Sequence, residues 1–259
     1  MAQLRTSLGL VGIAESGGGD ATPLIFLHGV GSDKTAWAPQ LAHFGPKRRT
    51  IALDYPGYGE SDHLATGEGA MHDRFAAAIL AALDALAIDR AHLCGLSLGG
   101  VVALALAHAA PERLATLILA DSFAVHPDGR AILDRSLAAS GDMRAMAEAR
   151  VPALLAAESD PALAAALVEV MAAIEPAAFR RGAEAVWPAD QRDRAARIVV
   201  PTLILCGRED RVTPPALSAA LAALIPGARL AFIDRAGHLP NLERAADFNT
   251  ALDDFFADS

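Results

Sequence analysis

A strand-to-helix turn at Gly95-x-Ser97-x-Gly99 constrains the fold of this chain more than any other stretch. The apolar run 91–94 is typical of a buried strand, and a long apolar run, Leu98–Ala109, follows at once with the character of a helix. Glycines two residues before and two residues after the serine remove side chains that would collide in so tight a turn. We therefore predict that Ser97 has a strained backbone conformation and a side chain that points outwards.

The same turn also offers groups that stabilise negative charge. The first N–H groups of a helix have no partner within it, so the N–H of Leu98 can hold an oxyanion beside Ser97. A second donor is expected from the backbone N–H of Val30, in the glycine-rich loop after the apolar run 23–27. His28 in that loop is expected to organise it by hydrogen bonds rather than to act as a base. Taken alone, the pattern also fits an ordinary glycine-rich turn with an uninvolved serine.

Short apolar runs alternate with helical patterns along most of the chain. This alternation predicts an α/β fold with a doubly wound, mostly parallel sheet that is covered by helices on both faces. In such sheets, ligands bind outside the carboxyl ends of the strands. The predicted strands are 8–14, 23–27, 50–53, 91–94, 116–119, 202–206 and 230–233, and the predicted helices beside them are 71–86, 98–109, 215–224 and 242–256.

One long region, 122–197, breaks this alternation because it contains no strand pattern. Asp160, which precedes a proline, fits a helix N-cap within it. We expect this region to form an all-helical lid over the strand ends, inserted into a core made of 1–121 and 198–259. The alternative is a helical layer without a role at the site. The predicted helices of the region are 145–157, 161–174 and 176–186.

Composition excludes several classes of protein. With 259 residues, of which 53% are hydrophobic and 20% charged, the chain is expected to form one large globular domain or one domain with an insertion. A net charge of −9 and the lack of a basic run argue against nucleic-acid binding. No apolar run has the length needed to span a bilayer. Cys94 and Cys206 are predicted to be buried free thiols, which suits a cytoplasmic protein.

A serine hydroxyl becomes a good nucleophile only when a base takes its proton, so the chain must supply a histidine and a carboxylate at other strand ends. His238 follows the last predicted strand, in a loop shaped by a glycine and a proline. Asp210 follows the strand before it, and Asp121 is a second candidate because it also ends a strand near Ser97. The chain order Ser, Asp, His favours Asp210. The eight histidines do not cluster at metal-ligand spacing, so no metal is expected.

Together these motifs resemble those of α/β-hydrolase-fold enzymes over nearly the whole chain. Within that superfamily, 92–100 and 237–247 are most similar to 3-oxoadipate enol-lactonases and related carboxylesterases. The segments that carry the superfamily resemblance are Leu27-His28-Gly29, Asp54-Tyr-Pro-Gly-Tyr-Gly-Glu-Ser61, Gly95-Leu-Ser-Leu-Gly-Gly100, Gly207-Arg-Glu-Asp210 and Gly237-His238.

The resemblance implies hydrolysis of a small-molecule ester or lactone. Ser97 would attack the carbonyl while His238, oriented by Asp210, takes its proton, and the N–H groups of Val30 and Leu98 would hold the oxyanion. This chemistry needs no cofactor. The lid would select the substrate, with Trp187 either lining the pocket or packing in the lid core. Arg181 and its neighbour Arg180 are candidates for binding a substrate carboxylate, although paired arginines on a helix are more often solvated.

Other functions fit the same residues. A carbon–carbon bond hydrolase and a cofactor-free haloperoxidase can use the same triad, whereas a dehalogenase would need an aspartate in place of Ser97. A broad carboxylesterase without a dedicated substrate also remains open, since the lid is rich in apolar residues. A fold retained for ligand binding with little turnover is a further alternative. The sequence does not indicate an oligomeric state.

Overall fold

An eight-stranded sheet runs through the centre of the computed structural model, which describes residues 2–258. The strand order is β1-β2-β4-β3-β5-β6-β7-β8, and every pair from β4 to β8 along this order is parallel. The predicted doubly wound, mostly parallel sheet is therefore confirmed. The strands are β1 (Ala2–Thr6), β2 (Gly9–Ser16), β3 (Leu24–Leu27), β4 (Thr50–Leu53), β5 (Ala91–Leu96), β6 (Leu114–Ala120), β7 (Thr202–Gly207) and β8 (Arg229–Ile233).

The N-terminal edge differs from the prediction of one strand at 8–14. Strands β1 and β2 form an antiparallel hairpin in which Thr6 pairs with Gly9, and β2 is also antiparallel to β4. Gly9 has a φ of +117°, which a residue with a side chain rarely adopts. Residues of β1 are exposed or half-buried. The first strand was missed because it carries no apolar run.

Helices cover the sheet in two packed groups. Helix α2 (Met71–Ala85) packs against α3 (Leu98–Ala109), and α1 (Ala38–Phe44) packs against α11 (Ala245–Ala257). Strands β3, β4 and β7 are buried at every residue, as their continuous apolar character predicts. The other helices of the sheet layers are α9 (Pro215–Leu224) and α10 (Pro240–Glu243).

Five helices lie between β6 and β7 in the chain. They are α4 (Gly129–Ala139), α5 (Met143–Leu154), α6 (Pro161–Ala172), α7 (Pro176–Val186) and α8 (Arg192–Ala195). Asp160 caps α6 as predicted, accepting a hydrogen bond of 2.8 Å from the N–H of Ala162. Helix α4 was missed because only Gly129, Leu133 and Ser136 of its residues are buried, which leaves a weak apolar pattern.

The apolar helices also bear on membrane contact. No single helix within 2–258 is long and apolar enough to cross a membrane, and α6 and α7 reach that length only as a pair bent by 103°.

The strand register brings the ends of the central strands to one level. Leu27 of β3 pairs with Gly95 of β5, and Leu96 of β5 pairs with Ala120 of β6. Ala120 in turn pairs with Leu205 of β7. The loops that leave these strands therefore meet at one edge of the sheet, where ligands of parallel α/β sheets bind.

Candidate active site

Ser97 occupies the turn between β5 and α3 in a strained conformation. Its φ of +56° and ψ of −113° lie outside the regions that residues with side chains favour, at a cost of about 1–3 kcal/mol. A Cβ atom on Gly95 would overlap the carbonyl of Gly99, and one on Gly99 would overlap the carbonyl of Leu27. The two glycines therefore let the turn close against itself and against β3. Ser122 Oγ donates a hydrogen bond of 2.9 Å to the Ser97 carbonyl and holds the turn from β6.

His238 lies on the loop after β8 and is held on both sides. Its backbone N–H donates to the carbonyl of Leu154 at 2.7 Å, which ties the loop to helix α5. The carboxylate of Glu243 accepts the N–H groups of Gly237 at 2.9 Å and Leu239 at 3.3 Å. These bonds fix the backbone on either side of the imidazole, which is 3% exposed.

Asp210 is the carboxylate that the imidazole contacts. His238 Nδ1 lies 2.9 Å from Asp210 Oδ2, and Thr213 Oγ1 lies 2.6 Å from the same oxygen. Asp210 Oδ1 accepts the backbone N–H groups of Val212 and Thr213 at 2.7 and 3.0 Å. Burial alone would raise the pKa of Asp210, but the charge of His238 and the hydrogen bonds from His238 and Thr213 outweigh it and hold the pKa well below its usual value. Asp210 is therefore ionised at neutral pH.

Asp121, the second candidate for this role, lies behind Asp210. Its Oδ1 accepts the N–H of Gly207 at 2.8 Å, and its buried Oδ2 has no partner among the described residues. Burial, and then the nearby charge of Asp210, raise the pKa of Asp121 well above its usual value. The raised pKa favours the protonated form of Asp121, and the carboxylate within hydrogen-bond distance of His238 is that of Asp210.

One buried cluster has the residue types of a metal site. The ligand atoms of Asp121, Cys206 and Asp210 lie within 4.8 Å of one another. Burial, and then the neighbouring carboxyl group of Asp121, raise the pKa of the Cys206 thiol above its usual value. The raised pKa values favour the protonated forms of Asp121 and Cys206, whereas metal ligands must be deprotonated. The cluster is therefore poorly suited to bind a metal.

The loop after β3 presents Val30 beside Ser97. His28 Nδ1 lies 2.8 Å from the carbonyl of Gly29, and Tyr58 Oη donates to the carbonyl of Val30 at 3.1 Å. Burial lowers the pKa of His28, so its imidazole is neutral and stabilises the loop by hydrogen bonding. Leu98 is the first residue of α3, and its N–H has no partner within that helix.

A small pocket, partly open to solvent, is lined by both Ser97 and His238. Leu154 from α5 and Leu167 and Met171 from α6 form its apolar side, so the helical insertion supplies one wall. The complete lining is Gly29, Val30, Gly31, Ser32, Leu96, Ser97, Arg150, Leu154, Leu167, Met171, His238, Leu239 and Leu242.

Two residues expected to bind substrate lie outside this pocket. Trp187 is 1% exposed and stacks on Phe123 with 6.1 Å between ring centroids, so it packs in the core of the insertion. Arg181 Nη1 lies 3.4 Å from His63 Nδ1, and Arg180 Nε donates to a serine Oγ at 2.7 Å. Helix α7 buries the neighbouring apolar residues, and that packing turns both arginines away from the pocket.

Arg150 is the charged residue of the pocket that the sequence analysis missed. It lies one helical turn before Leu154 on α5, so the two side chains share a face of that helix. In the sequence, the spacing between them predicts only that they share a helix face. It indicates the site only when Leu154 is already known to line the pocket.

Known proteins match this chain over most of its length. The sequence pattern of the Alpha/beta hydrolase family matches residues 24–251. The chain is 34% identical to 2-hydroxymuconate semialdehyde hydrolase from Pseudomonas sp. strain CF600, over 100% of this chain and 92% of that protein. It is 29% identical to 3-oxoadipate enol-lactonase 1 from Acinetobacter baylyi, over 88% and 86% respectively.

A further relative and a solved structure extend the match. The chain is 34% identical to the dihydrolipoyllysine-residue acetyltransferase component of the acetoin cleaving system from Pseudomonas putida, over 92% of this chain but only 64% of that protein's length. The enol-lactonase from Burkholderia xenovorans LB400 superimposes with a TM-score of 0.90 at 28% identity, covering 99% of this chain and 100% of that one. The predicted similarity to enol-lactonases is confirmed, and the chain belongs to the alpha/beta hydrolase family.

Proposed function

We propose that this protein hydrolyses a carboxylic ester or lactone through an acyl-enzyme on Ser97. The observation that carries the proposal is one pocket that contains a strained Ser97 and a His238 whose Nδ1 faces an ionised Asp210 at 2.9 Å. An imidazole held in this way presents Nε2 as a base. The enol-lactonases among the relatives support an ester or lactone as substrate.

The first half of the reaction forms the acyl-enzyme. Ser97 Oγ attacks the carbonyl carbon while its proton passes to His238 Nε2, and Asp210 stabilises the imidazolium that results. The N–H groups of Val30 and Leu98 hold the tetrahedral oxyanion. When the intermediate collapses, the C–O bond breaks and His238 protonates the leaving alcohol or enol.

The second half returns the free enzyme. A water molecule loses a proton to His238 Nε2 and attacks the acyl carbon. The new tetrahedral intermediate then breaks its bond to Ser97 Oγ, which takes the proton back from His238, and the acid product is released. For a lactone, the leaving hydroxyl and the acid belong to one molecule. The apolar side chains from α5 and α6 keep bulk water away from the carbonyl and act as the lid of the site.

Hydrolysis of a carbon–carbon bond is the second candidate. It is favoured by the 34% identity to 2-hydroxymuconate semialdehyde hydrolase along the whole chain. The same three residues would serve, but the leaving group would be a carbon that must receive a proton. Comparing turnover of 3-oxoadipate enol-lactone and of 2-hydroxymuconate semialdehyde separates the two candidates.

The test of the proposal is Ser97→Ala beside a matched control, Ser218→Ala. Both change a buried serine to alanine, but Ser218 lies on α9, outside the pocket. Ser97→Ala is expected to lower kcat on 4-nitrophenyl butyrate and on the enol-lactone by at least about 10⁴-fold, because the nucleophile is lost. Ser218→Ala should retain wild-type kcat. Substantial turnover by Ser97→Ala, with the protein folded, would disprove the acyl-enzyme mechanism.

A further inference from the structure

Arg150 lines the pocket that contains Ser97 and His238. It also lines a neighbouring cavity, together with Met146 and Phe179, so its side chain separates the two spaces. The other residues around the Ser97 pocket are apolar, small or the proposed catalytic groups. Among its described lining residues, Arg150 is the one with a permanent charge.

No partner within 2–258 neutralises this charge. The Nε atom of Arg150 is buried without a hydrogen-bond partner, and none of the ion pairs in this part of the chain includes Arg150. Its described close neighbour is the Trp187 ring, whose centroid lies 5.7 Å from Cζ. By contrast, Arg144 on the same helix donates to both carboxylate oxygens of Glu169 at 2.9 and 2.7 Å. The Arg150 side chain is half-buried, and a charged group that loses part of its contact with water without gaining a partner is unfavourable, which points to a ligand that completes the site.

The guanidinium keeps its charge in the pH range where a serine hydrolase works. Burial lowers the pKa of Arg150 to about 10, and the nearby Tyr58 partly opposes this shift. Tyr58 itself is buried, which raises its pKa above the usual value and keeps it neutral. The residues that line the pocket therefore include one permanent positive charge at neutral pH, that of Arg150.

We propose that Arg150 binds a carboxylate of the substrate, so that the enzyme selects small esters or lactones that carry a negative charge of their own. This inference rests on the proposed function and names its substrate class. The planar guanidinium matches the two oxygens of a carboxylate. A single cation in an apolar pocket fits a monoanion better than a phosphate dianion, which would need further donors.

Two substrates of equal chain length test the selection. Mono-4-nitrophenyl adipate carries a carboxylate where 4-nitrophenyl hexanoate ends in a methyl group. Arg150→Met is expected to lower kcat/KM for the adipate ester at least about 30-fold, while kcat/KM for the hexanoate ester changes less than about threefold. Arg144→Met is the matched control on the same helix and should leave both values unchanged. An equal loss for both esters, or no loss for the adipate ester, would overturn the proposal.

Binding gives a readout that does not depend on turnover. In a Ser97→Ala background, calorimetry with monomethyl adipate should show at least about tenfold weaker binding when Arg150 is also changed to Met. Dimethyl adipate, which is neutral, should bind both proteins alike. Equal affinity for monomethyl adipate in the two proteins would overturn the role of Arg150. If Ser97→Ala still turned over esters, the proposed function would fail, and this comparison would still decide the role of Arg150.

Arg150→Lys keeps the test decisive if the methionine variant does not fold. Lysine retains the charge but lacks the planar pair of donors, so it should recover part of the preference for the adipate ester over the hexanoate ester. A lysine variant whose preference for the adipate ester is no greater than that of Arg150→Met, or is absent if Arg150→Met does not fold, would show that the charge does not select the substrate.

Discussion

The same isosteric change to asparagine should lower kcat greatly at Asp210 and leave kcat nearly unchanged at its neighbour Asp121. Asp210→Asn removes the negative charge beside His238 and offers an amide N–H where Nδ1 needs an acceptor. The imidazole then favours the wrong tautomer. A comparable change in serine proteases lowers kcat by about 10⁴-fold, and we expect a similar loss here.

Asp121→Asn should leave kcat within about threefold of wild type, since the carboxyl group of Asp121 contacts Gly207 rather than His238 and its raised pKa favours the neutral form. Asparagine keeps an oxygen acceptor for the Gly207 N–H and tolerates the φ of +45° at this position. The variant thus imitates the protonated carboxyl group of the wild type.

The stability of the two proteins should diverge with pH. Burial and the charge of Asp210 raise the pKa of Asp121 in the folded state, so the folded protein keeps a proton that the unfolded chain releases above its own pKa, near 3.9. The free energy of unfolding of the wild type therefore falls by about 1.4 kcal/mol per pH unit between these two pKa values. Asp121→Asn lacks this loss, so it should be more stable than wild type at pH 7 and similar to it near pH 3.

Urea unfolding from pH 3 to pH 8 and steady-state kinetics with one ester measure both effects. We expect a large kcat loss only in Asp210→Asn and a stability gain in Asp121→Asn that grows with pH. A larger kcat loss in Asp121→Asn would assign the acid to Asp121 instead. A stability difference that does not change with pH would show that Asp121 is ionised in the folded protein.

Three further predictions concern the turn, the pocket and the core. Gly99→Ala should lower the free energy of unfolding by several kcal/mol, of the order of the largest single-residue effects, because the added Cβ overlaps a β3 carbonyl; Gly141→Ala, where space is open, should be near neutral in the same urea titration. Met171→Ala should raise kcat/KM for octanoate esters relative to butyrate esters, because the shorter side chain enlarges the pocket on its apolar side. An unchanged ratio would show that Met171 does not limit the length of the acyl chain. Lys34→Met should cost about 3–5 kcal/mol, because it leaves Asp54 buried without the 2.6 Å ion pair, and a loss below about 1 kcal/mol would contradict this.

The sheet and the positions of the reactive groups could be predicted because both depend on local sequence. Each central strand is a continuous apolar run, and Ser97, Asp210 and His238 each follow such a run within a few residues. Parallel strands bring their carboxyl ends together whatever the details of packing. Side chains placed in this way need no knowledge of the tertiary structure.

The pocket wall could not be predicted in the same way, since it depends on how helices of the insertion rotate and pack. Arg181 was expected at the pocket and Arg150 was not, although both are arginines on amphipathic helices of the same region. The packing of α7 on the core turns Arg181 away, whereas α5 directs Arg150 and Leu154 inwards. Helix α4 and strand β1 were missed because few of their residues are buried.

Covalent labelling of the proposed nucleophile tests the central claim most directly. The protein is treated with 4-nitrophenyl diethyl phosphate, which phosphorylates an activated serine, and is then digested and examined by mass spectrometry. We predict one adduct per chain, on the peptide that contains Ser97, with parallel loss of esterase activity and no adduct in Ser97→Ala. Full inactivation with the adduct on another residue, or sustained ester hydrolysis by a protein fully labelled at Ser97, would contradict the account.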